Sequence, residues 1–474
     1  MRLGRRPKPD PTERARATLE RTEWPPELIS ALARLREGGH ACYLVGGTVR
    51  DALLGRAAGE AFDVATDLTP AQVIARFDRV EPIGLIHGTV LVVMETLQLE
   101  VTTFRREGAY TDARHPDRVE FTGDVREDLA RRDLTVNALA WDPAALELVD
   151  PFGGVADLAR GMLRAVGDPE ARFREDALRP VRAARFAATL EMELDEGTRE
   201  ALGAVADRAR QVAVERVRRE LELLMAAPRP SVGLRLLRDA GLLELWMPEL
   251  TRGYGVIQNR WHAWDVWDHS LYSCDAAPAD KPAVRWAALL HDIGKPDTKV
   301  VRDGEGTFYD HPNVGAALAD RLLERLRFPL ELRHRIVLLV REHMFDYRSE
   351  WSDAAVRRWL RRVGEDAVAD LFDLRIADAL GNGTRPAYAG AIERMRRHIE
   401  RVLAESRALR VRDLAVNGED VMRVLGIAPG PRVGEVLETL LEEVIEHPEA
   451  NTRDHLSDRL EAMRSDASGT VREA

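Results

Sequence analysis

Short apolar runs broken by glycines and polar turns fill the first third of the chain, and helix-period patterns fill most of the rest. Residues 41–45 (ACYLV) form an apolar run of strand length, which Gly46-Gly47 ends before an amphipathic helix through Leu54. Residues 62–65, 90–94 and 97–104 read as further strands. Beyond about residue 170 leucine, alanine and arginine recur with helical spacing, and no repeat of 20–50 residues is evident. The pattern predicts a small α/β head of mixed sheet and helices, followed by an all-α body.

A chain of 474 residues exceeds one core and implies several domains. Residues 1–26 are basic and proline-rich and read as a flexible tail ending at Trp24-Pro25-Pro26, and the last ~10 residues read as disordered. No apolar run of membrane-spanning length occurs, the basic first residues have no apolar core like that of a secretory signal, and the only cysteines are Cys42 and Cys274. A cytoplasmic protein without disulfides or a cysteine metal site is expected. The net charge of −11 does not itself point to nucleic acid. Arginines nevertheless cluster at 105–106, 131–132, 179–185 and 216–219, and such patches hold phosphates even on an acidic chain.

Three stretches carry candidate chemistry. In LVGGTVRDALLG (44–55) a strand runs into Gly46 and Gly47, which let backbone N–H groups approach a phosphate, with Arg50 one turn on. In EDALRPVRAARFA (175–187), Arg179, Arg182 and Arg185 recur at three-residue steps and share a helix face. Pro180 disfavours a helical Arg179, so the helix either begins near it or Arg179 occupies a strained turn. In VWDHSL (266–271) and HDIGKP (291–296), His269, His291 and Asp292 precede His311, His343 and Asp378. Imidazoles and carboxylates on several helices suit Mn²⁺, Fe²⁺, Ni²⁺ or Zn²⁺, and a structural role for the histidines is the plainer alternative.

Together with GEAFDVAT (59–66), EVTTFR (100–105), YTDARHP (110–116), DLARRDLTVNAL (128–139) and DPFGG (150–154), the first two stretches closely resemble the class II tRNA nucleotidyltransferases and bacterial poly(A) polymerases. The third resembles the HD superfamily of metal-dependent phosphohydrolases. The resemblance implies a nucleotidyltransferase head over 27–165, a neck and body binding tRNA and the nucleotide base over 166–255, an HD domain over 256–385 and a helical, tRNA-binding tail over 386–474. It implies transfer of C and A from CTP and ATP to the tRNA acceptor arm without a nucleic-acid template, with Mg²⁺ in the head. A transition metal such as Ni²⁺, Mn²⁺ or Fe²⁺ would occupy the HD domain, with His269, His291, Asp292 and Asp378 as the minimal ligand set, Asp292 able to bridge two ions, and His311 and His343 suited to a second metal or a substrate phosphate. Residues 107–118 resemble the loop that assists the switch from C to A addition.

In the family a pair of aspartates two residues apart on one strand face holds the metals, where this chain has Ala61 and Asp63. Ala61 offers no ligand atom, and Glu60 faces the other side unless a bulge turns it. Asp63 and Glu100 remain as carboxylates, and a loss of about 10³-fold in transfer is expected, equivalent to about 4 kcal/mol. The alanine is compatible with a natural loss or an introduced change. By the same resemblance Glu175, Asp176 and Arg179 read the base, the carboxylate accepting from an amino group and the guanidinium donating to a ring nitrogen. Arg132, Arg182 and Arg185 would hold the triphosphate, while Asp133 and Asn137 would support the pocket or, for Asp133, cap a helix. The alternatives are poly(A) synthesis, an HD hydrolase acting on 2′,3′-cyclic phosphates or related esters at RNA ends, and a non-catalytic tRNA-binding protein.

Overall fold

The computed structural model describes residues 10–57, 59–107, 119–259, 262–302, 305–345, 347, 351–383, 389–405 and 408–469. The loop expected over 107–118 lies almost wholly outside them. The chain forms two compact units, Met1–Thr251 with Arg325–Arg327, and Arg252–Glu324 with Phe328–Ala474.

The first unit is built on a seven-stranded mixed sheet. Its strands are β1 (Cys42–Val45), β2 (Ala61–Thr66), β3 (Val80–Gly84), β4 (Thr89–Val93) and β5 (Gln98–Thr103). A separate hairpin, β6 (Arg105–Glu107) with β7 (Val119–Phe121), follows, and β8 (Ala140–Asp142) and β9 (Glu147–Val149) complete the sheet. The order is β3-β4-β5-β2-β1-β8-β9, and only β2 and β5 pair in parallel. Alternation sorts the side chains between two cores. Phe62, Val64, Leu99, Val101 and Trp141 pack with Leu28 and Leu32 on one face, while Val45, Ala65 and Ala140 pack with Phe104 and Leu129 on the other. Pairing of β2 with β5 runs without a shift from Ala61↔Gln98 to Thr66↔Thr103, so no bulge turns Glu60 inward.

Among the described residues, 10–26 do not form the flexible tail expected over 1–26. Pro11–Arg21 is a helix that buries Ala15 and Leu19 in the sheet's core. Pro26 occupies the first turn of a second helix, Pro26–Arg36, where its missing N–H costs nothing. The chain then becomes largely helical, as the periodicity predicts, although it is not all-α: Met162–Leu163 pairs with Glu193–Leu194, and Val300–Arg302 pairs with Glu305–Thr307, as short two-stranded sheets. The helix Arg179–Leu190 carries Pro180 in its first turn, the unstrained alternative.

In the second unit the helices Val266–Ala276, Pro282–Leu290, Leu330–Glu342 and Val368–Gly381 pack together through buried side chains such as Trp267, Trp286, Leu339 and Leu374. The carboxy-terminal helices Gly418–Leu425, Pro431–Glu446 and Arg453–Gly469 share a smaller core around Val421, Leu440, Val444 and Leu456. The final helix runs through to Gly469, further than the disordered end expected from composition. Asn417 caps its helix by accepting from the Glu419 and Asp420 N–H groups. Among the described residues no helix is long and apolar enough to cross a membrane.

Candidate functional sites

The first unit holds a cleft of about 540 Å³ lined by eight arginines and four carboxylates. This local excess of positive charge stands against the chain's net −11. Gly46, Gly47, Arg50, Asp63, Glu100, Arg132, Asp133, Asn137, Asp176, Arg179, Arg182 and Arg185 all line it. The carboxylate strand and the arginine helix therefore face one space.

The sheet positions the acidic wall. Asp63 and Glu100 pair in register on β2 and β5, both turned away from the core that Phe62, Val64, Leu99 and Val101 fill. Burial, and then the neighbouring Asp63, raise the Glu100 carboxyl above the ordinary range. Two hard-oxygen groups that repel one another are a donor set a divalent cation satisfies. Gly46 closes this wall at positive φ (61°), and a Cβ there would lie 2.5 Å from Arg132 Nη1 and 3.4 Å from Asp63 Oδ2. The doubled glycine thus admits both side chains. Ala61 lies outside the cleft and lines a neighbouring hollow of about 510 Å³, which shares Asp63. Glu60 is exposed just before the strand and does not line the cleft.

The opposite wall is a network of paired arginines. Arg182 Nε donates to Asp133 Oδ2 (2.8 Å) and Arg185 Nε to Glu220 Oε2 (2.6 Å). Asp133 also accepts from Asn137 Nδ2 at 3.0 Å, and Asn137 Oδ1 accepts from Arg50 at 2.5 Å. Burial opposes the charge on Asp133, but Arg182 and Asn137 outweigh it and hold the carboxyl far below its usual range. Asp133 is thus a buried hub of the pocket; the helix-cap alternative for it falls away. The Phe186 ring lies under Arg185 at 3.8 Å, with Arg50 and Arg182 at 5.1 and 5.7 Å.

Asp176 and Arg179 flank the turn between the helices Pro169–Glu175 and Arg179–Leu190. Asp176 accepts from both Arg216 Nη atoms (2.8 and 3.4 Å). Arg179 donates to the Arg172 and Arg131 carbonyls at 2.8 and 2.9 Å and pairs with Glu175. Glu175 does not line the cleft; it steadies Arg179. By sequence Arg216 belongs to the arginine cluster at 216–219, and nothing local in VERVRREL (214–221) signals a carboxylate partner forty residues earlier.

The second unit brings all six residues of the HD pattern together. His269, His291 and Asp378 form one cluster, and Asp292, His311 and His343 another. Asp292 faces both: its Oδ2 lies 3.2 Å from His291 Nε2 and 3.4 Å from His269 Nε2, and its Oδ1 lies 3.4 Å from His311 Nε2. Tautomers test the fit to metal. His311 Nδ1 donates to the Phe308 carbonyl and His343 Nδ1 to the Val340 carbonyl, each at 2.7 Å. Their Nε2 atoms, 3.3 Å apart, then present lone pair to lone pair unless protonated, which burial disfavours. His343 is pushed down to about 3 by burial and by His291. His269 and His291 also stand with Nε2 atoms 3.0 Å apart, but here His291 Nδ1 donates to the Ala288 carbonyl at 2.8 Å and His269 Nδ1 is buried without a hydrogen-bond partner. Burial opposes a charge on His291, but Asp292 outweighs it and raises the imidazole. Converging lone pairs and carboxylates fit divalent cations.

Three further residues border these clusters. Lys295 Nζ lies 2.6 Å from Asp292 Oδ2 and donates to Gln258 Oε1 at 2.6 Å. The His262 ring packs edge-on to His269 at 5.4 Å, and burial, then Lys295, push it down to about 3. Only Lys295 stood in a recognisable motif; Gln258 and His262 carry no signal in a single sequence.

Comparison with known proteins defines the class. Residues 42–164 match the poly A polymerase head domain, 191–253 the probable RNA and SrmB- binding site of polymerase A, and 261–383 the HD domain. The chain is 33% identical to a CCA-adding enzyme of Geobacillus sp. (strain WCH70) over 89% of this chain and 93% of the relative. It is 39% identical to an A-adding tRNA nucleotidyltransferase of Deinococcus radiodurans over 69% of this chain and 76% of the relative. A crystal structure of Bacillus stearothermophilus CCA-adding enzyme in complex with CTP superposes with a TM-score of 0.72 at 28% identity, covering 94% of this chain and all of that one. The chain belongs to the class II CCA-adding and A-adding tRNA nucleotidyltransferase family, and it carries the poly(A) polymerase-type head together with an HD domain.

Proposed function

We propose that the chain adds C and A to tRNA 3′ ends from CTP and ATP, with transfer slowed by Ala61. The observation that carries this reading is that Asp63 and Glu100 share one cleft with Asp176 and Arg179. Asp63 and Glu100 would hold Mg²⁺, which supplies charge neutralisation at the triphosphate and a lowered pKa for the primer hydroxyl. Arg132, Arg182 and Arg185 bind the triphosphate, their present carboxylate partners giving way in part to phosphate oxygens. Asp176 accepts from the exocyclic amino group of cytosine or adenine and Arg179 donates to the ring nitrogen beside it. Guanine and uracil leave both groups mispaired, which is the strongest form of discrimination a buried polar site offers. The primer 3′-oxygen bonds to the α-phosphorus as pyrophosphate departs.

Incubation with Mg²⁺, CTP, ATP and tRNA lacking CCA tests this, with Ala61→Asp run beside the parent. The variant should transfer about 10³-fold faster. A fully active parent with no gain in the variant overturns the metal assignment. The 39% identity to an A-adding enzyme supports a narrower reading, addition of A alone. Growth of tRNA ending in CC, without growth of tRNA lacking both cytidines, selects it.

A second activity is favoured by the facing lone pairs in the HD domain. His269, His291, Asp292, His311, His343 and Asp378 would hold Mn²⁺, Fe²⁺ or Ni²⁺, which supplies an activated water for phosphoester hydrolysis. Release of a phosphomonoester from a 2′,3′-cyclic nucleotide tests it.

A further inference from the structure

The helix Val214–Met225 carries Arg216, Arg218, Arg219 and Glu220. Residues 216, 219 and 220 fall on one helix face, and two of them belong to the arginine wall of the nucleotide cleft. Arg216 holds Asp176, and Glu220, buried, accepts from Arg185 Nε at 2.6 Å. Arg218 is engaged by Glu222 and by the Arg327 carbonyl. Arg219 differs from all of these. It is exposed, and among the described residues it makes no hydrogen bond and no ion pair.

Its charge still reaches the acidic wall. Burial and Asp63 push the Glu100 carboxyl up, and Arg132 and then Arg219 draw it back. Arg132 lines the cleft and is paired with Asp128, whereas Arg219 does not line it. Arg219 therefore stands at the solvent edge of the cleft, within electrostatic range of the Asp63–Glu100 wall. That position selects its ligand. Arg132, Arg182 and Arg185 lie inside with carboxylate partners, where a triphosphate displaces them. An unpaired guanidinium at the edge meets what enters from solvent, and an RNA end must bring its 3′-hydroxyl to the same wall. The charge on that end resides on its phosphodiesters, and the last of them is attached to the same ribose as the hydroxyl. A fork of N–H donors free of any carboxylate takes two phosphate oxygens without first breaking an ion pair.

We infer that Arg219 binds the last phosphodiester of the RNA primer and so positions the 3′-hydroxyl at the Asp63–Glu100 wall. This rests on the cleft adding nucleotides to RNA ends. Arg219 is bonded to neither Asp176 nor Arg179, so its loss changes primer binding and leaves base choice alone.

The test uses the full chain and tRNA lacking CCA, either unmodified or with a neutral methylphosphonate in place of its last phosphodiester. Fluorescence anisotropy without nucleotide reads binding, so no transfer is needed. Arg219→Ala should weaken binding of the unmodified tRNA about 5-fold and flatten the slope of log affinity against log salt by about 1. The methylphosphonate should weaken the parent by the same factor and Arg219→Ala no further. Arg219→Lys, which keeps the charge, should recover most of the loss. In transfer assays the KM for tRNA should rise, while the KM for ATP and the preference for ATP over GTP stay fixed. Additive losses from the variant and the methylphosphonate, or a raised KM for ATP with tRNA binding intact, overturn the inference. If neither the parent nor Ala61→Asp adds a nucleotide but the two losses still overlap, the transfer reading fails and the phosphate contact stands.

Discussion

Asp63 and Glu100 stand directly opposite one another on the only parallel pair of the head's sheet, and both open into the same cleft. With Ala61 offering no oxygen, each of the two becomes harder to replace. Glu100→Gln, compared with the parent that keeps Ala61, should cut transfer about 100-fold, about 2.7 kcal/mol of transition-state stabilisation. Single-turnover rates with Mg²⁺ measure this, and an unchanged rate removes Glu100 from the site.

Arg216 reaches across from the helix Val214–Met225 to hold Asp176 with two contacts, which makes it a positioning residue if Asp176 reads the base as proposed. Asp176→Ala should lower the preference for ATP over GTP, as a kcat/KM ratio, by about 10³-fold or more. Arg216→Ala should lower it about 10-fold, because the carboxylate remains but is no longer aimed. Both belong in the Ala61→Asp background. A loss of triphosphate affinity with base preference intact would place Arg216 among the phosphate ligands instead.

These relationships show where a single sequence carries information. The inner strands were legible because Phe62, Val64, Leu99 and Val101 alternate with residues that face the cleft. Edge strand β3 carries Pro82 and is partly or fully exposed along its length, so it lacks the alternation that marks a strand. Strands β8 and β9 are three residues each, too short for a period. The helix Pro11–Arg21 buries only Ala15 and Leu19 beneath a strongly charged sequence, which composition alone reads as a tail. The HD residues could be named because their order is characteristic. The position of Asp292 between two groups was likewise expected; that Asp292 falls in one cluster with His311 and His343, apart from His269, His291 and Asp378, depends on helix packing, which spacing does not encode.

The Asp133–Arg182 pair predicts a pH-dependent stability. Asp133 is 7% exposed and its carboxyl is held far below the unfolded value of about 3.9. Its contribution is therefore complete above about pH 4 and is lost as the pH falls from there toward the folded-state value. Asp133→Asn should cost about 2 kcal/mol at pH 7. That is less than a fully buried pair, because the Arg182 side chain keeps 36% of its surface exposed. Hydrogen exchange at Leu134 and Asn137 reports it, and the gap between parent and variant should narrow below pH 4. A gap constant from pH 7 to pH 3 would show that the charge on Asp133 contributes nothing.

The facing imidazoles predict how the HD centre loads. His311 and His343 on one side, and His269 and His291 on the other, each converge with an oxygen of Asp292. If each cluster holds one cation, the parent binds two Mn²⁺ or Ni²⁺ per chain, while His343→Ala binds one and keeps the cluster at His269, His291 and Asp378. Asp292→Asn weakens both sites, because its carboxylate faces the two clusters at once. Binding to the folded state also stabilises it, by about 2.7 kcal/mol at a hundredfold excess of free metal over Kd. EDTA should therefore lower the unfolding temperature of the parent and do so less for Asp292→Asn. Titration calorimetry on the chelator-treated full chain counts the ions. One ion in the parent that His343→Ala leaves untouched would assign the His311–His343 pair to substrate rather than metal.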